Sequence, residues 1–237
     1  MKTFIINVST NEVRRNHMIS MLAAHPCLQN YSFMHQGDLN ALDQQTVQLH
    51  FKGETLLFGP AMSCALKHIL VYKELVSDSL NNYCLIIEDD VFLEDSFCSE
   101  IQQIIREVGE RGLHNWIISL EDSNLEYVKK SERRKNIRLY PKDSGRMAGA
   151  YLIDKTAAVH LLDEISANKC HLPIDWFHNY CSRKGLIQIY WAHPTIATQG
   201  SLNGKLRSTI DEKKTGIIKT IVFSLSRMYK KLLYSLR

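Results

Sequence analysis

Residues 83–95 read YCLIIEDDVFLED, an apolar run followed at once by Glu88, Asp89 and Asp90. The run YCLII predicts a buried strand, because short stretches rich in apolar and β-branched residues are typical of strands covered on both faces. Three adjacent carboxylates repel one another at neutral pH, and this costs free energy unless solvent or a bound cation offsets it. Whether the acids form a solvated turn or a cation site therefore bears directly on function.

Apolar runs and amphipathic stretches alternate on both sides of this segment. Further strands are predicted at TFIINV (3–8), YSFM (31–34), 116–120 and GAYLID (149–154). Helices are predicted at 9–25, 59–76, 96–112 and 155–167, where apolar residues recur at intervals of three and four. Strands that alternate with helices predict an α/β fold with a mostly parallel central sheet flanked by helices.

The helix at 9–25 has an identifiable start and an apolar face. Ser9 or Thr10 is expected to cap it. Val13, Met18 and Leu22 stand at helical spacing and are expected to be buried against the sheet.

Two acidic clusters follow predicted strands, one at 88–90 and one at Glu121 and Asp122. In parallel sheets ligands bind beyond the carboxyl ends of the strands, which favours a cation at these clusters. Asp and Glu oxygens suit Mg²⁺ or Mn²⁺, and such an ion can also hold a diphosphate. The apolar residues 91–93 argue against a freely solvated loop after the first cluster. A turn in which one carboxylate caps the next segment is the alternative.

Charge is distributed unevenly along the 237 residues, whose net charge is +4. Residues 213–237 contain seven Lys and Arg and no acid, so residues 1–212 carry 22 cations and 25 acids. Hydrophobic residues make up 45% of the chain, which is ordinary for a soluble domain with a real core. The sequence therefore predicts a domain at 1–212 and a basic tail at 213–237 that binds an acidic partner.

The tail sequence TGIIKTIVFSLSRMYKKLLYSLR predicts a basic amphipathic helix. Such a helix can lie in an anionic membrane surface, where each cation contributes about 1 kcal/mol. Packing on the body or on a second subunit is the alternative. Nucleic acid is a poor partner, because the body is acidic and shows no aromatic and basic platform. We expect a cytoplasmic protein that its tail holds at the periphery of a membrane.

The six cysteines stand far apart and form no CxxC pair. This spacing predicts neither a zinc cage nor a disulfide framework. Isolated buried thiols in a reducing compartment are expected. The N-terminal apolar run is too short for a signal peptide and is better interpreted as a strand.

Several segments in a fixed order resemble glycosyltransferase family 25, the bacterial lipooligosaccharide glycosyltransferases related to the collagen galactosyltransferases. They are FIINVSTNEVRR, SCALKHILVYKEL, YCLIIEDDVFLED, GAYLIDKTAA, LPIDWF, AHPTIATQ and LRSTID, from residue 4 to about residue 211. The resemblance implies a GT-A-type, Rossmann-like fold and a UDP-hexose donor, UDP-galactose or UDP-glucose. It also implies transfer with inversion and a divalent cofactor, Mn²⁺ or Mg²⁺.

The resemblance also implies roles for individual residues. The nucleotide-sugar is expected to contact Val8, Arg14, Glu88, Asp89 and Gln199, and the metal to bind Asp90, Glu88 and His193. Arg15 is an alternative to Arg14, and His193 could equally be an ordinary loop residue. The chain departs from the family pattern at Pro60, at Lys67 (where a Ser is common) and at Met147 or Gly145.

Inverting transfer needs a base that removes the proton of the acceptor hydroxyl. Asp175, which matches a family Asp, is the first candidate, with Trp176 and Phe177 available to stack on a sugar. Asp175 could equally cap a helix that starts near Pro173. Asp122 is the second candidate for the base.

The sequence thus predicts an inverting hexosyltransferase that extends a lipid-linked lipooligosaccharide acceptor in outer-core synthesis. A nucleotidyltransferase is a rival, although STNEVRRN lacks the glycines of a phosphate-binding loop. An inactive, transferase-like protein that binds sugar or forms a scaffold at the membrane is the rival outside enzymes.

Overall fold

The strand predicted from the apolar run lies inside a seven-stranded sheet. The computed structural model describes residues 1–52, 59–203, 205–206 and 217–236. The strands are β1 (Lys2–Ile6), β2 (Tyr31–Met34), β3 (Tyr83–Glu88), β4 (Val91–Leu93), β5 (Trp116–Ser119), β6 (Leu139–Lys142), β7 (Ala150–Asp154), β8 (Gln188–Ala192) and β9 (Ala197–Gln199). The helices are α1 (Glu12–Ala23), α2 (Gln44–His50), α3 (Pro60–Ser77), α4 (Phe97–Glu110), α5 (Lys155–Asn168), α6 (Ile174–Arg183), α7 (Gly200–Asn203) and α8 (Ile217–Leu236).

The large sheet has the strand order β2-β1-β3-β7-β5-β8-β6, and β4 pairs with β9 in a separate ribbon. β1 is parallel to both its neighbours and β5 is parallel to β8, whereas β7 and β6 run antiparallel to theirs. Five of the seven strands therefore point the same way. This confirms the expected α/β fold with a mostly parallel central sheet flanked by helices.

The sheet is covered on both faces, which explains the continuous apolar run of β3. Cys84 and Ile86 face the core that includes α3, α5 and α6. Leu85 and Ile87 face the core that includes α1 and α4. Successive side chains of a strand point to opposite faces, so a strand between two layers must be apolar at every position.

Helix α1 differs in detail from its prediction. Its cap is Asn11, one residue beyond the two predicted hydroxyl residues, and the Asn11 side chain accepts a hydrogen bond of 3.2 Å from the Arg14 backbone N–H. Met18 and Leu22 are buried as expected, but Val13 is 74% exposed and Arg14 is buried instead. The reason is electrostatic, because Arg14 faces the carboxylates that follow β3.

The prediction of isolated thiols is wrong for one pair of cysteines. Cys27 and Cys98 form a disulfide, with a Cα–Cα distance of 5.6 Å, that ties the segment after α1 to α4. The two are 71 residues apart, and such a pairing cannot be deduced from spacing alone. Cys64, Cys84 and the later pair at 170 and 181 are free thiols.

The predicted amphipathic tail is helical, as α8. The predicted domain boundary at 212–213 lies outside the described residues. Arg227 of α8 forms ion pairs of 2.8 Å with Asp122 and with Glu94, so the helix rests on the body. None of the described helices is long and apolar enough to cross a membrane.

Candidate active site

A cavity of about 780 Å³ lies where the carboxyl ends of β1 and β3 meet the N-terminal parts of α1, α3 and α6. This is the edge at which ligands bind in α/β sheets, and the volume is that of a small-molecule site. Its lining includes seven of the predicted site residues, namely Val8, Arg14, Glu88, Asp89, Asp90, Asp175 and Gln199. Chain segments far apart in sequence therefore converge as the sequence predicts.

Asp89 is held by side chains of the first strand and helix. One carboxylate oxygen accepts from Arg14 Nη1 at 2.5 Å and the other from Asn7 Nδ2 at 2.8 Å. Its backbone N–H donates to Ile6 at 3.0 Å, which continues the pairing of β3 with β1. Arg14 rather than Arg15 is thus the arginine that points into the site, and it offsets part of the carboxylate repulsion.

Asp90 presents a carboxylate oxygen without a hydrogen-bond partner. Its Oδ2 accepts from the Ser201 N–H at 3.1 Å and lies 3.8 Å from Arg14 Nη2. Its Oδ1 is buried and has no partner among the described residues. A buried, unpaired carboxylate oxygen is costly, and a bound cation would satisfy it. The residues present therefore fit the hard divalent cation that the family resemblance implies.

The backbone at Gly200, the first residue of α7, comes very close to Asp90. Gly200 donates its N–H to the Asp90 carbonyl at 2.7 Å. A Cβ atom at position 200 would lie 2.8 Å from that carbonyl oxygen and 2.7 Å from the Phe92 ring. Only glycine fits this approach without a shift of the backbone, so Gly200 fixes the position of the acids.

Glu88 is half-buried at the end of β3, whereas Asp89 and Asp90 are buried. Its Oε2 accepts from Gln199 Nε2 at 2.7 Å, and its Oε1 lies 3.6 Å from Cys64 Sγ and 3.7 Å from His68 Nε2. Burial, together with the charges of Asp90 and Asp89, raises the pKa of Glu88 to about 8. In the absence of a cation, Glu88 is therefore mainly protonated at neutral pH, and this proton relieves the repulsion among the three acids.

Asp175 lies in the first turn of α6 and lines the cavity. Pro173 is the residue that precedes this helix, so Asp175 is not its cap. Burial raises the pKa of Asp175, which moves it toward the range of a general base. Trp176 is 55% exposed and can contact a ligand, whereas Phe177 is buried in the core.

Asp122 does not line the cavity. It is fully buried and accepts hydrogen bonds from Thr198 Oγ1, from the Tyr127 hydroxyl at 3.0 Å and from Arg227 Nε at 2.8 Å. Burial raises its pKa, but the Arg227 charge and these hydrogen bonds hold it below its ordinary value. In this position Asp122 anchors α8 to the body rather than facing a substrate.

His193 also lies outside the cavity lining. Its backbone N–H donates to Arg138 at 2.9 Å, and its ring packs against Tyr140 at 6.4 Å between centroids. Burial lowers the pKa of His193 to about 4, so the imidazole is neutral. The structure therefore does not bring His193 to the acids whose metal it was expected to share.

Glu121, the other member of the second acidic cluster, has a structural role. It is fully buried, and its carboxyl accepts from the Gly149 N–H at 2.7 Å and from Ser123 Oγ. Burial raises its pKa to about 8 from an ordinary value of 4.5. Its contribution to stability is therefore complete below pH 4.5 and is lost as the pH rises through 8.

Replacing Glu121 by Gln is expected to stabilise the protein relative to wild type at alkaline pH. The amide keeps the acceptor for Gly149 and never ionises, so the gain is on the order of 5 kcal/mol above pH 8 and vanishes near pH 4.5. Urea denaturation of both proteins at several pH values measures the difference. A difference that is independent of pH would show that Glu121 does not titrate in this range.

Sequence reasoning gave no role to three further residues at or beside the cavity, although it noted Lys67 as a departure from the family pattern. Cys64 lines the cavity, His68 lies just behind it, and Lys67 lies between them in sequence with its ammonium on Asp38 and on the Asn7 carbonyl. The spacing of Cys64 and His68, four residues apart on a helix, places both on one face and was the available signal.

The sequence of this chain matches a known protein family. The model of glycosyltransferase family 25, described as an LPS biosynthesis protein, matches residues 1–178. This match includes both acidic clusters and Asp175 but ends before Gln199 and His193. No curated protein matches the sequence.

Solved structures with a similar fold have very different sequences. The galactosyltransferase LgtC, in complex with donor and acceptor sugar analogues, is 9% identical with a TM-score of 0.45, and the match covers 97% of this chain and 96% of LgtC. An active-site mutant of LgtC is 10% identical with a TM-score of 0.45, covering 95% and 96%. A putative glucose-1-phosphate thymidylyltransferase from Bacillus anthracis, in complex with sucrose, is 12% identical with a TM-score of 0.39, covering 94% and 75%.

Proposed function

The chain belongs to glycosyltransferase family 25, and we propose that it transfers a hexose, galactose or glucose, from a UDP-sugar to a lipooligosaccharide acceptor with inversion at the anomeric carbon. The observation that carries this proposal is the cavity at the sheet edge, whose lining includes Asp90, a residue with a buried carboxylate oxygen that has no hydrogen-bond partner among the described residues. The acceptor is the growing outer core of the lipid-linked oligosaccharide.

The donor binds along the carboxyl ends of β1 and β3. Val8 is 38% exposed at this edge and offers its apolar surface to the nucleoside, since its carbonyl already accepts from the Asn11 N–H at 2.9 Å. Gln199 and Glu88, joined by a hydrogen bond, border the sugar. Arg14 and Asp89 are joined by an ion pair that keeps both side chains in place at the cavity wall.

Mn²⁺ or Mg²⁺ is the proposed cofactor, held by Asp90 and Glu88. When bound, such an ion would neutralise the charge of the departing diphosphate. We leave His193 out of this ligand set because it lies outside the cavity lining.

Asp175 acts as the base in the proposed mechanism. The acceptor hydroxyl attacks the anomeric carbon on the face opposite the UDP leaving group, and the Asp175 carboxylate takes the hydroxyl proton as the bond forms. Burial raises the pKa of Asp175, which strengthens it as a base. The exposed face of Trp176, the next residue, provides a platform for the acceptor sugar.

Replacing Asp175 by Asn is expected to lower kcat about 10²–10⁴-fold and to leave donor affinity nearly unchanged, because the base acts only in the transition state. Initial rates with saturating donor, together with donor titration by calorimetry, measure the two effects. Asp163→Asn, at an exposed carboxylate on α5, is the matched control. Equal loss in both variants would remove Asp175 from the mechanism.

The proposed reaction is tested by incubating the protein with UDP-galactose or UDP-glucose, a deacylated lipooligosaccharide acceptor and Mn²⁺. We expect one donor to give a longer oligosaccharide, whose new anomeric configuration NMR shows to be inverted. Donor binding without product in the presence of acceptor would favour the alternative, an inactive sugar-binding or scaffold protein. Pyrophosphate released from a nucleoside triphosphate and a sugar phosphate would favour a nucleotidyltransferase.

We further propose that α8 holds the enzyme at the periphery of the cytoplasmic face of the inner membrane. Seven large apolar side chains of this helix are more than half exposed and form a single stripe on the side away from Arg227. They are Ile221, Val222, Leu225, Met228, Tyr229, Leu232 and Leu236. Arg227 pairs with carboxylates of the body, and Lys231 lies 3.7 Å from Asp122, so the helix is fixed with this stripe outward. A basic helix with an exposed apolar face suits an anionic lipid surface.

The protein is expected to sediment with vesicles that contain phosphatidylglycerol and much less with neutral phosphatidylcholine vesicles. Replacing Leu225 and Leu232 together by Glu should abolish this binding, because two charges then stand on the stripe. Leu80→Glu, which alters a 90% exposed leucine elsewhere, is the control. Vesicle binding that survives the double change would assign the stripe to a protein partner.

A further inference from the structure

Three side chains of the cavity floor form a group with the composition of a metal site. The Sγ of Cys64, a ring nitrogen of His68 and a carboxylate oxygen of Glu88 all lie within 4.8 Å of one another. Cys64 and His68 are one helical turn apart on α3, and Glu88 ends β3 beneath them. Of these three side chains, only Glu88 also takes part in the donor site described above.

The distances within this group match a tetrahedral zinc site. Zinc binds sulfur at about 2.3 Å and nitrogen or oxygen at about 2.0–2.2 Å, so neighbouring ligand atoms of a tetrahedron are about 3.3–3.7 Å apart. Glu88 Oε1 lies 3.6 Å from Cys64 Sγ and 3.7 Å from His68 Nε2. The Cys64 thiol donates a hydrogen bond to Glu88 across the first of these separations, and both separations are those of neighbouring ligands of a common ion.

His68 is oriented for coordination by hydrogen bonds on its other side. Its Nδ1 lies 2.7 Å from the Tyr151 hydroxyl, which in turn lies 2.8 Å from the Tyr72 hydroxyl. When Nδ1–H donates to Tyr151, Nε2 carries the lone pair that a metal needs. His68 is fully buried, and its Nε2 has no hydrogen-bond partner among the described residues. Burial lowers the pKa of His68 to about 3, so the ring is neutral, as a metal ligand must be.

We propose that Cys64, His68 and Glu88 bind a thiophilic divalent cation, zinc in the first instance, at a site that shares Glu88 with the hard cation site proposed above and adds two softer ligands. Thiolate and imidazole select zinc over magnesium or manganese, whereas Asp90 offers only oxygen. Binding displaces the thiol proton of Cys64, and the proton of Glu88 where it is present, to solvent. Cys64 and Glu88 line the cavity, so the fourth coordination position opens toward it.

Cobalt titration tests this site without any donor or acceptor, so its outcome is independent of the proposed transferase reaction. Metal-free protein is titrated with Co²⁺ under a reductant that does not bind metal, and the near-ultraviolet absorption is recorded. We expect a thiolate-to-cobalt charge-transfer band that saturates at one ion per chain. Zn²⁺ should abolish the band, and Mg²⁺ in excess should leave it unchanged.

Variants identify the ligands of the bound ion. Cys64→Ser should remove the charge-transfer band, and His68→Gln should weaken Co²⁺ binding at least about tenfold, since even partners outside the coordination shell contribute that much. Asp90→Asn and Cys84→Ala should keep the band, because they alter the hard cation site and a thiol in another part of β3. Circular dichroism confirms that each variant is folded. No band in the wild type, or a band that persists in Cys64→Ser, would overturn the proposal.

Discussion

Replacing Asp90 by Asn is expected to abolish metal-dependent donor binding and to lower kcat/KM by about 10³-fold or more, since a metal ion contributes several kcal/mol of charge stabilisation. The substitution changes one oxygen to an amide and keeps the shape of the side chain. Calorimetric titration of UDP-galactose and UDP-glucose, each with Mn²⁺ and with EDTA, measures the effect on binding. Product formation measures the effect on transfer.

The physical reason lies in how the three acids divide their partners. Asp89 has both carboxylate oxygens engaged, by Arg14 and by Asn7. Glu88 accepts from Gln199 and has its pKa raised to about 8. Only Asp90 keeps a buried carboxylate oxygen without a partner among the described residues. The amide of the variant would turn a donor or a weak neutral acceptor toward the place of the cation.

Asp95→Asn is the matched control, because Asp95 is an exposed acid five residues further along the chain. It should leave both measurements at the wild-type level. If the Asp90 variant instead bound donor as tightly as wild type, in Mn²⁺ and in EDTA alike, the acids would be a structural turn. The proposed donor site would then lose its central observation.

The local sequence predicted which edge of the sheet carries the acids. It did not predict the contacts that distinguish the two acidic clusters. Both clusters follow apolar strands, so the pattern gives Glu88–Asp90 and Glu121–Asp122 the same appearance. The two clusters differ because Arg227, 105 residues further along the chain, donates a hydrogen bond to Asp122. Nothing in the residues around Asp122 signals that contact, and the prediction of a catalytic role for Asp122 followed from local pattern alone.

Four inner strands and the edge strand β2 were predicted from the sequence, whereas the inner strand β8 and the edge strand β6 were not. β3 and β7 consist almost entirely of apolar residues, and their prediction is confirmed. β6 was not predicted, because Pro141 within it cannot donate to a neighbouring strand. Its place at the edge of the sheet makes that proline tolerable. The disulfide was likewise missed, since its two cysteines meet only in the folded chain. The spacing of Cys64 and His68 was a local signal, but the approach of Glu88 to them depends on the fold.

Replacing Lys67 by Met is expected to destabilise the protein by about 3–5 kcal/mol, the usual cost of removing one partner of a buried ion pair. Lys67 is 1% exposed, and its ammonium donates to Asp38 and to the Asn7 carbonyl. Methionine keeps the apolar stem of the side chain, so the loss of unfolding free energy reports the removal of the ammonium group. Urea denaturation at pH 7 measures the change in the free energy of unfolding.

The Lys67 pair ties three elements together beside the cavity. α3 carries the lysine, the loop after β2 carries Asp38, and Asn7 follows β1. Burial raises the pKa of Asp38, but the hydrogen bonds from Lys67 and Ser9 and the Lys67 charge hold it below its ordinary value. Without Lys67 the carboxylate remains buried with the hydrogen bonds from Ser9, whose N–H lies at 3.1 Å, but without a compensating charge, and its ionised form is disfavoured.

Three comparisons decide whether the pair acts in this way. Lys2→Met removes an ammonium from the exposed pair with Glu74 and should cost less than about 1 kcal/mol. The double variant Lys67→Met with Asp38→Asn should recover much of the loss, because no unpaired charge is then buried. The deficit of Lys67→Met alone should also shrink on going from pH 7 to pH 4, where Asp38 without its lysine takes up a proton. A deficit no larger than that of Lys2→Met would mean that solvent reaches Asp38 and replaces the lost ammonium.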